Sequence, residues 1–284
     1  MQFTSAKTLV DAQGGLKFAR NPLWFDQRLL FVDIHDRCIK STDLGGALKI
    51  EMELPFLPGG FDVFNDGRLL VLDAWRRKIY QYDPGSPTQL VDLNDIAGVC
   101  LSDCVLDSRG GMYVGDIGFD YLDPMVEPVP TGLIVHMDSR GKSSVVAGDL
   151  FSPRGMVVTP DCNTLIVAEA LGHRLTAFEI GADASLLNRR VWAQFQDDIH
   201  PDGICLDREG AAWIAGTQRA ALRVREGGEV DHQVACQRPV FGVTLGGPEQ
   251  RHLFLCTSVA CDPVVTRRHP DATIDVLEVE TPGT

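Results

Sequence analysis

One motif recurs along this chain at a spacing that few folds can use. The stretch SPRGMVVTPDCNTLIVAE, starting at Ser152, sets a charged residue at the mouth of an apolar strand, then a polar turn, then a second apolar strand. The same grammar returns in ARNPLWFDQRLLFVDI from Ala19, GGFDVFNDGRLLVLD from Gly59, LSDCVLDSRGGMYVGD from Leu101 and HPDGICLDREGAAWIAG from His200. A weaker copy is PVFGVTLGGPEQRHLFLC from Pro239. Aligned on the turns, one column holds Arg20, Gly59, Ser102, Arg154, Asp202 and Phe241, at steps of 39, 43, 52, 48 and 39 residues.

Each pair of strands is followed by two more β-like runs: RCIKSTD and KIEMEL, KIYQYD and TQLVDL, GLIVHMD and SSVVAGD, RLTAFEI and RRVWAQF. Gly, Asp and Pro turns separate them. Helical periodicity is nearly absent; DASLLNRR at 183–190 reads as one turn at most. Four short strands repeated six times define an all-β, six-bladed β-propeller with four-stranded blades, since a sandwich or barrel leaves six copies in register unexplained. SAKTLVD, ahead of the first copy, is expected to supply the outer strand of the last blade. The expected organisation is a single propeller domain over 1–284.

In such a fold the first strand of each blade lines the central channel. The aligned column is therefore expected to ring one mouth of it. The next column, Asn21, Gly60, Asp103, Gly155, Gly203 and Gly242, is mostly glycine, as close backbone approach requires.

Charge narrows the partners. The chain carries 26 basic and 39 acidic side chains, a formal net charge of −13. That repels nucleic acid and anionic membranes, leaving a small-molecule substrate as the expected partner. Oligomeric state is not legible. No apolar run has the length of a signal peptide or a membrane span. The eight cysteines form no CxxC pair, and several sit inside apolar runs. Buried free thiols in a cytoplasmic protein are expected; zinc at Cys100 and Cys104 or at Cys256 and Cys261, or a disulfide, is the alternative.

The ARNPLWFDQRLLFVDI, LSDCVLDSRGGMYVGD, SPRGM and HPDGICLDREGAAWIAG segments, with their order and spacing, resemble the SMP-30/gluconolactonase/luciferin-regenerating-enzyme family of six-bladed propellers. The resemblance implies hydrolysis of small lactones or esters with a divalent cation, often calcium. It also implies that the cation's ligand positions fall on Arg20, Arg154 and Asp202, with Ser102 where an asparagine would assist. Only the aspartate is kept. A hard dication takes about six to eight oxygen donors, and arginine neither donates a lone pair nor loses its proton. The expectation is therefore no metal and no cofactor, with a divalent cation such as calcium as the disfavoured alternative.

Two guanidinium groups in place of a cation suit a carboxylate, an enolate or an oxyanion. The candidate catalytic residues are Asp202, Asp103 and His200; the candidate substrate-binding residues are Arg20, Arg154, Ser102, Tyr121 and Phe241. Flanking arginines should make Asp202 the weaker base, which favours Asp103, and His200 could shuttle a proton near neutrality. The acidic, proline-rich insertion FDYLDPMVEPVPTG, 119–132, reads either as a lid carrying Tyr121 and Met125 or as a surface loop. Trp24 reads as core. No HExxH or GxSxG signature occurs, and RGKSS at 140–144 lacks the first glycine and following helix of a phosphate loop. The expected function is lactonase-like hydrolysis without the metal. Two alternatives stay open: a metal-free isomerase, lyase or cyclase using an Asp base and an Arg-stabilised enolate, and a non-catalytic ligand-binding propeller.

Overall fold

Leu70, Val71 and Leu72 are consecutive and all fully buried. A strand whose alternate side chains leave both faces must be covered on both to do this. The computed structural model, which describes residues 2–83 and 86–284, supplies that cover by stacking sheets face to face. The fold is a six-bladed β-propeller. Its contacts fall into two compact units, Met1–Pro55 with Ala193–Thr284, and Phe56–Trp192.

The first unit carries three blades. Blade one consists of Ala19–Phe25, Arg28–Asp33, Cys38–Thr42 and Leu48–Glu53. Blade five consists of Ile204–Leu206, Ala212–Ala215, Ala220–Val224 and Val230–Ala235. Blade six is built from Val240–Gly246, His252–Thr257 and Thr273–Glu278, and Lys7–Val10 closes it as the antiparallel outer strand, as the sequence predicts. The blades are cemented by cores between sheets. Leu16, Leu29, Phe31, Phe254 and Ile274 form one, with Trp24 stacked on Phe254 at 5.3 Å between ring centroids, which bears out Trp24 as core. Trp213, Val234, Val243 and Leu253 belong to another.

The second unit carries blade two (Pro58–Val63, Leu69–Asp73, Lys78–Asp83, Ser86–Asp92), blade three (Leu101–Leu106, Met112–Asp116, Gly132–Met137, Ser143–Leu150) and blade four (Pro153–Val158, Thr164–Glu169, Arg174–Ile180, Leu186–Gln194). Cores again sit between sheets, one around Leu70, Leu72, Met112, Val114 and Val135, another around Tyr113, Ile134, Met156 and Val167.

A second repeat runs through blades one to four. The second strand of each ends in a fully buried acid: Asp33, Asp73, Asp116 and Glu169. These carboxylates accept backbone N–H groups that no strand satisfies, from Lys17 and Phe18, from Arg76, from Val99 and Gly118, and from Phe151 respectively. Leaving such groups unpaired costs about 1–3 kcal/mol each, so the acids hold the loops that lead into or out of their blades.

Three details refine the sequence reading. Blade five is five-stranded, because Gln2–Ser5 adds to its outer edge in parallel, Gln2 opposite His232. Leu186–Gln194 is a strand, so DASLLNRR contributes no helical turn; cross-strand pairing and the burial of Trp192 outweigh its weak local preference. A short α-helix, Pro263–Arg268, does form, with Asp262 capping Val264 and Val265 N–H groups and Pro263 at its first position. All eight cysteines are free thiols; Cys38, Cys100, Cys104 and Cys256 are buried, whereas Cys162, Cys205 and Cys236 are half-buried and Cys261 is exposed. Burial pushes those of Cys38, Cys100, Cys205 and Cys236 up to about 12, which makes them poor nucleophiles and ligands. No helix among the described residues is long and apolar enough to cross a membrane.

Candidate functional site

The aligned column sits in or beside β-bulges. In blade three Leu101 faces Asp116 and Cys104 faces Val114, so three residues on one strand span two on the other, and Ser102 and Asp103 lie within the irregularity. Blade two repeats this between Pro58 and Phe61, holding Gly59 and Gly60; blade four between Pro153 and Met156, holding Arg154 and Gly155. Blade one shifts between Arg20 and Leu23, and blade six between Val240 and Gly242, holding Phe241. In blade five Asp202 N–H donates to Ala215 C=O while Ala215 N–H donates to Gly203 C=O, a similar offset. A bulge re-aims a side chain out of the pleat and bends the strand. The repeat thus sets apart five positions of the column, each with a different residue, while Arg20 stays in register opposite Val32 beside its bulge.

The glycine column is explained by proximity. A Cβ on Gly60 would lie 2.4 Å from Asp103 Oδ1 and 2.9 Å from Asp103 Cα. One on Gly203 would lie 2.9 Å from Gly242 Cα, and one on Gly242 2.7 Å from Pro22 Cδ. Adjacent first strands touch backbone to backbone at these points.

In the second unit, the Arg154 guanidinium lies 5.2 Å above the centroid of the Tyr121 ring. Tyr121 stacks in turn on Trp75 at 5.8 Å, with 26° between the planes. The Arg154 side chain is half-buried and makes no hydrogen bond or ion pair among the described residues. Ser102 Oγ is buried without a hydrogen-bond partner. Asp103 Oδ1 accepts the Cys104 N–H at 2.8 Å. Of the insertion's two candidate lid residues, Tyr121 reaches Arg154, whereas Met125 is 88% exposed. Trp75, in the loop after the second strand of blade two, was not singled out by the sequence; an aromatic directly following LLVLDA was the signal available.

In the first unit, Arg20 donates through Nη2 to Asp202 Oδ1, both side chains nearly buried, while Arg20 Nε has no acceptor. Phe241 packs edge-on against Phe18 at 5.0 Å, and Phe18 stacks on His35 at 4.9 Å. His35 Nδ1 lies 2.6 Å from Thr266 Oγ1. Burial first, then the charge of Arg267, lowers the His35 pKa to about 4, so the ring is neutral at pH 7. His200 is half-buried in the segment before Asp202, its N–H directed at Gly216 C=O. The sequence-predicted residues therefore resolve into Arg154, Tyr121, Ser102 and Asp103 in one unit, and Arg20, Asp202, His200 and Phe241 in the other. The structure directly couples Arg20 to Asp202 and Arg154 to Tyr121.

The family model of the SMP-30/gluconolactonase/LRE-like region matches residues 18–259, and the chain belongs to that family. It is similar to regucalcin of Danio rerio, 20% identical over 274 residues that cover 89% of this chain and 87% of the relative. It is also similar to 6-deoxy-6-sulfogluconolactonase of Pseudomonas putida, 25% identical over 132 residues, 45% of each chain. Among solved structures, a calcium-binding regucalcin from Agrobacterium tumefaciens superposes with a TM-score of 0.81 at 19% identity, covering 99% of this chain and 96% of that one. The last likeness bears on the fold alone.

Proposed function

We propose that this chain works as a single propeller domain and is a lactonase-like hydrolase of a small anionic or carbonyl-bearing substrate, acting without the divalent cation of its relatives. The family supports a lactonase-type hydrolase. The finer reading rests on one observation, the half-buried Arg154 guanidinium with no counter-ion among the described residues.

The donor set does not fit a hard dication. Two of the positions carried over from the family bear guanidinium groups, and Asp202, the one carboxylate kept, is taken by Arg20. No step is therefore routed through a metal. Arg154 supplies fixed positive charge to a substrate carboxylate or to the oxygen that becomes anionic when water adds to the carbonyl carbon. Tyr121 and Trp75 hold that guanidinium flat and present an apolar wall. Ser102 Oγ, with no partner in the protein, donates to the same substrate. Asp103 takes the proton from the attacking water and returns it to the ring oxygen as the acyl C–O bond breaks, giving the hydroxy acid. Arg20, held by Asp202, keeps Asp202 from acting as the base.

The test is a panel of neutral and anionic lactones assayed in excess chelator, with products weighed by mass spectrometry. Ring opening gains the mass of one water. Activity should persist in chelator, and both Arg154→Met and Asp103→Asn should lose at least about a hundredfold in kcat/KM. Loss of activity in chelator with recovery on added calcium refutes the metal-free reading. A product of unchanged mass points instead to isomerisation over an Arg-stabilised enolate.

A further inference from the structure

The N-terminal segment crosses between two blades. Gln2–Ser5 pairs with blade five and Lys7–Val10 with blade six, leaving Ala6 as the crossing point. Beneath the crossing lies a cavity of about 230 Å³, with Ala6, Thr8, Cys236, Arg238 and Asp275 in its wall. All of these belong to the first unit, none is in the site described above, and one polar group of the wall, Arg238 Nε, is without a hydrogen-bond partner.

Arg238 Nε is buried with no hydrogen-bond partner, and the side chain forms no ion pair among the described residues. Asp275 is 7% exposed. Its carboxyl receives hydroxyl donors, Thr273 at 3.2 Å and Thr8. Burial still raises its pKa above the ordinary carboxylate value, although Thr8, Thr273 and the charge of Arg238 pull the other way. Arg238 and Asp275 therefore sense each other across the cavity without reaching ion-pair distance. The buried Arg238 N–H is costly to leave unpaired, and Asp275, already accepting from two hydroxyls, keeps lone pairs for one more donor.

We infer that this cavity binds a compact hydroxy carboxylate, whose carboxylate meets Arg238 and whose hydroxyl donates to Asp275, and that occupancy fastens the N-terminal crossing. The charge-assisted end selects an anion over a neutral polyol. The acidic end disfavours a second carboxylate and selects a hydroxyl. The volume is below the roughly 300–1,000 Å³ of drug-sized pockets, which limits the occupant to a few carbon atoms. Hydroxy carboxylates are the class that opening a lactone releases. To that extent the physiological reading rests on the proposed function, while the binding site itself does not.

The experiment is hydrogen–deuterium exchange on the intact protein titrated with sodium glycolate, with sodium acetate and ethylene glycol as probes lacking one functional group each. Glycolate should slow exchange saturably at the amides of residues 7–10 and 235–238. Acetate and ethylene glycol should need about tenfold higher concentration, as should glycolate with Arg238→Gln or Asp275→Asn. Cys236→Met, which fills the cavity from its less polar wall, should abolish the effect and covers the case in which Asp275→Asn does not fold. Arg154→Met should retain it. Absence of saturable protection at those amides, or protection unchanged in Arg238→Gln and Cys236→Met, overturns the proposal. Protection confined to segments around Arg154 also overturns it, while leaving the hydrolase reading intact. The reverse pattern, with hydrolysis unaffected by Arg154→Met, retires that reading and keeps this site.

Discussion

Removing one member of the Arg20–Asp202 pair should be worse than removing both. The side chains are 11% and 7% exposed, so neither charge has water to fall back on. Arg20 already has one buried N–H without an acceptor, Nε. Asp202→Asn keeps shape but strands the guanidinium, and Arg20→Met strands the carboxylate. Breaking a buried pair from one side costs about 3–5 kcal/mol. For a chain of 284 residues the unfolding entropy near the midpoint is about 0.6 kcal/mol per kelvin, so the melting temperature should fall by about 5–8 °C in either single variant. The double variant Arg20→Met, Asp202→Leu replaces two buried charges by apolar groups of similar size. It should recover most of the loss, because such replacements are often neutral or stabilising. Calorimetry on the wild type and three variants measures the coupling directly. Single variants within about 0.5 kcal/mol of wild type, or a double variant as unstable as the sum of the singles, would refute the argument that both charges are desolvated.

Other outcomes follow from the same geometry. His35 binds its proton at about 4 in the fold against 6.5 for the free side chain, so the unfolded chain takes up more protons between those values. Stability from this group is complete above pH 6.5 and lost as pH falls to 4, by about 3 kcal/mol. Asp62, whose carboxyl burial raises to about 6 although the residue as a whole is only half-buried, contributes with the opposite sign. The check is therefore the difference in pH-dependent unfolding between wild type and His35→Phe, which should shrink toward zero above pH 6.5. Gly60→Ala forces a methyl group onto Asp103 and should cost about 2 kcal/mol in urea melts and lower kcat through the displaced carboxylate. Tyr121→Ala removes the ring from beneath Arg154 and should raise KM several-fold with little change in kcat, read from steady-state kinetics on whichever lactone is turned over.

The blades were legible because buried middle strands write themselves as LLFVD, LLVLD, MYVGD and LIVAE, and because turns between them need Gly, Asp and Pro. The column of six was legible for the same reason, since a bulge at a fixed place in each repeat keeps its residues aligned. What each position does was less so. Tyr121 under Arg154 joins an insertion in blade three to a residue of blade four, and Trp75 comes from blade two. No local pattern encodes a contact between loops of different repeats. The paired Arg20 and Asp202 are 182 residues apart, and the sequence shows only that both lie in the column. The helix Pro263–Arg268 was missed although Asp262 and Pro263 announce it, because six residues are too few to show a period. The final acids of the second strands were visible as letters, but their role as acceptors for orphan backbone N–H groups appears only when the loops are in place.

The crossing of residues 2–10 has a consequence for how the molecule is made. Gln2 pairs with His232 and Lys7 with Val276. At about 5–20 residues per second, synthesis separates these partners by on the order of ten to fifty seconds. The unit Phe56–Trp192 is continuous and emerges whole, so it can mature on the ribosome while the opening strands wait for blades five and six. During that interval two strands stand without partners, and Gln2–Ser5 and Lys7–Val10 are the edges most open to pairing with the wrong chain. Chaperone dependence and losses to aggregation during synthesis should therefore track this first segment more than any blade interior.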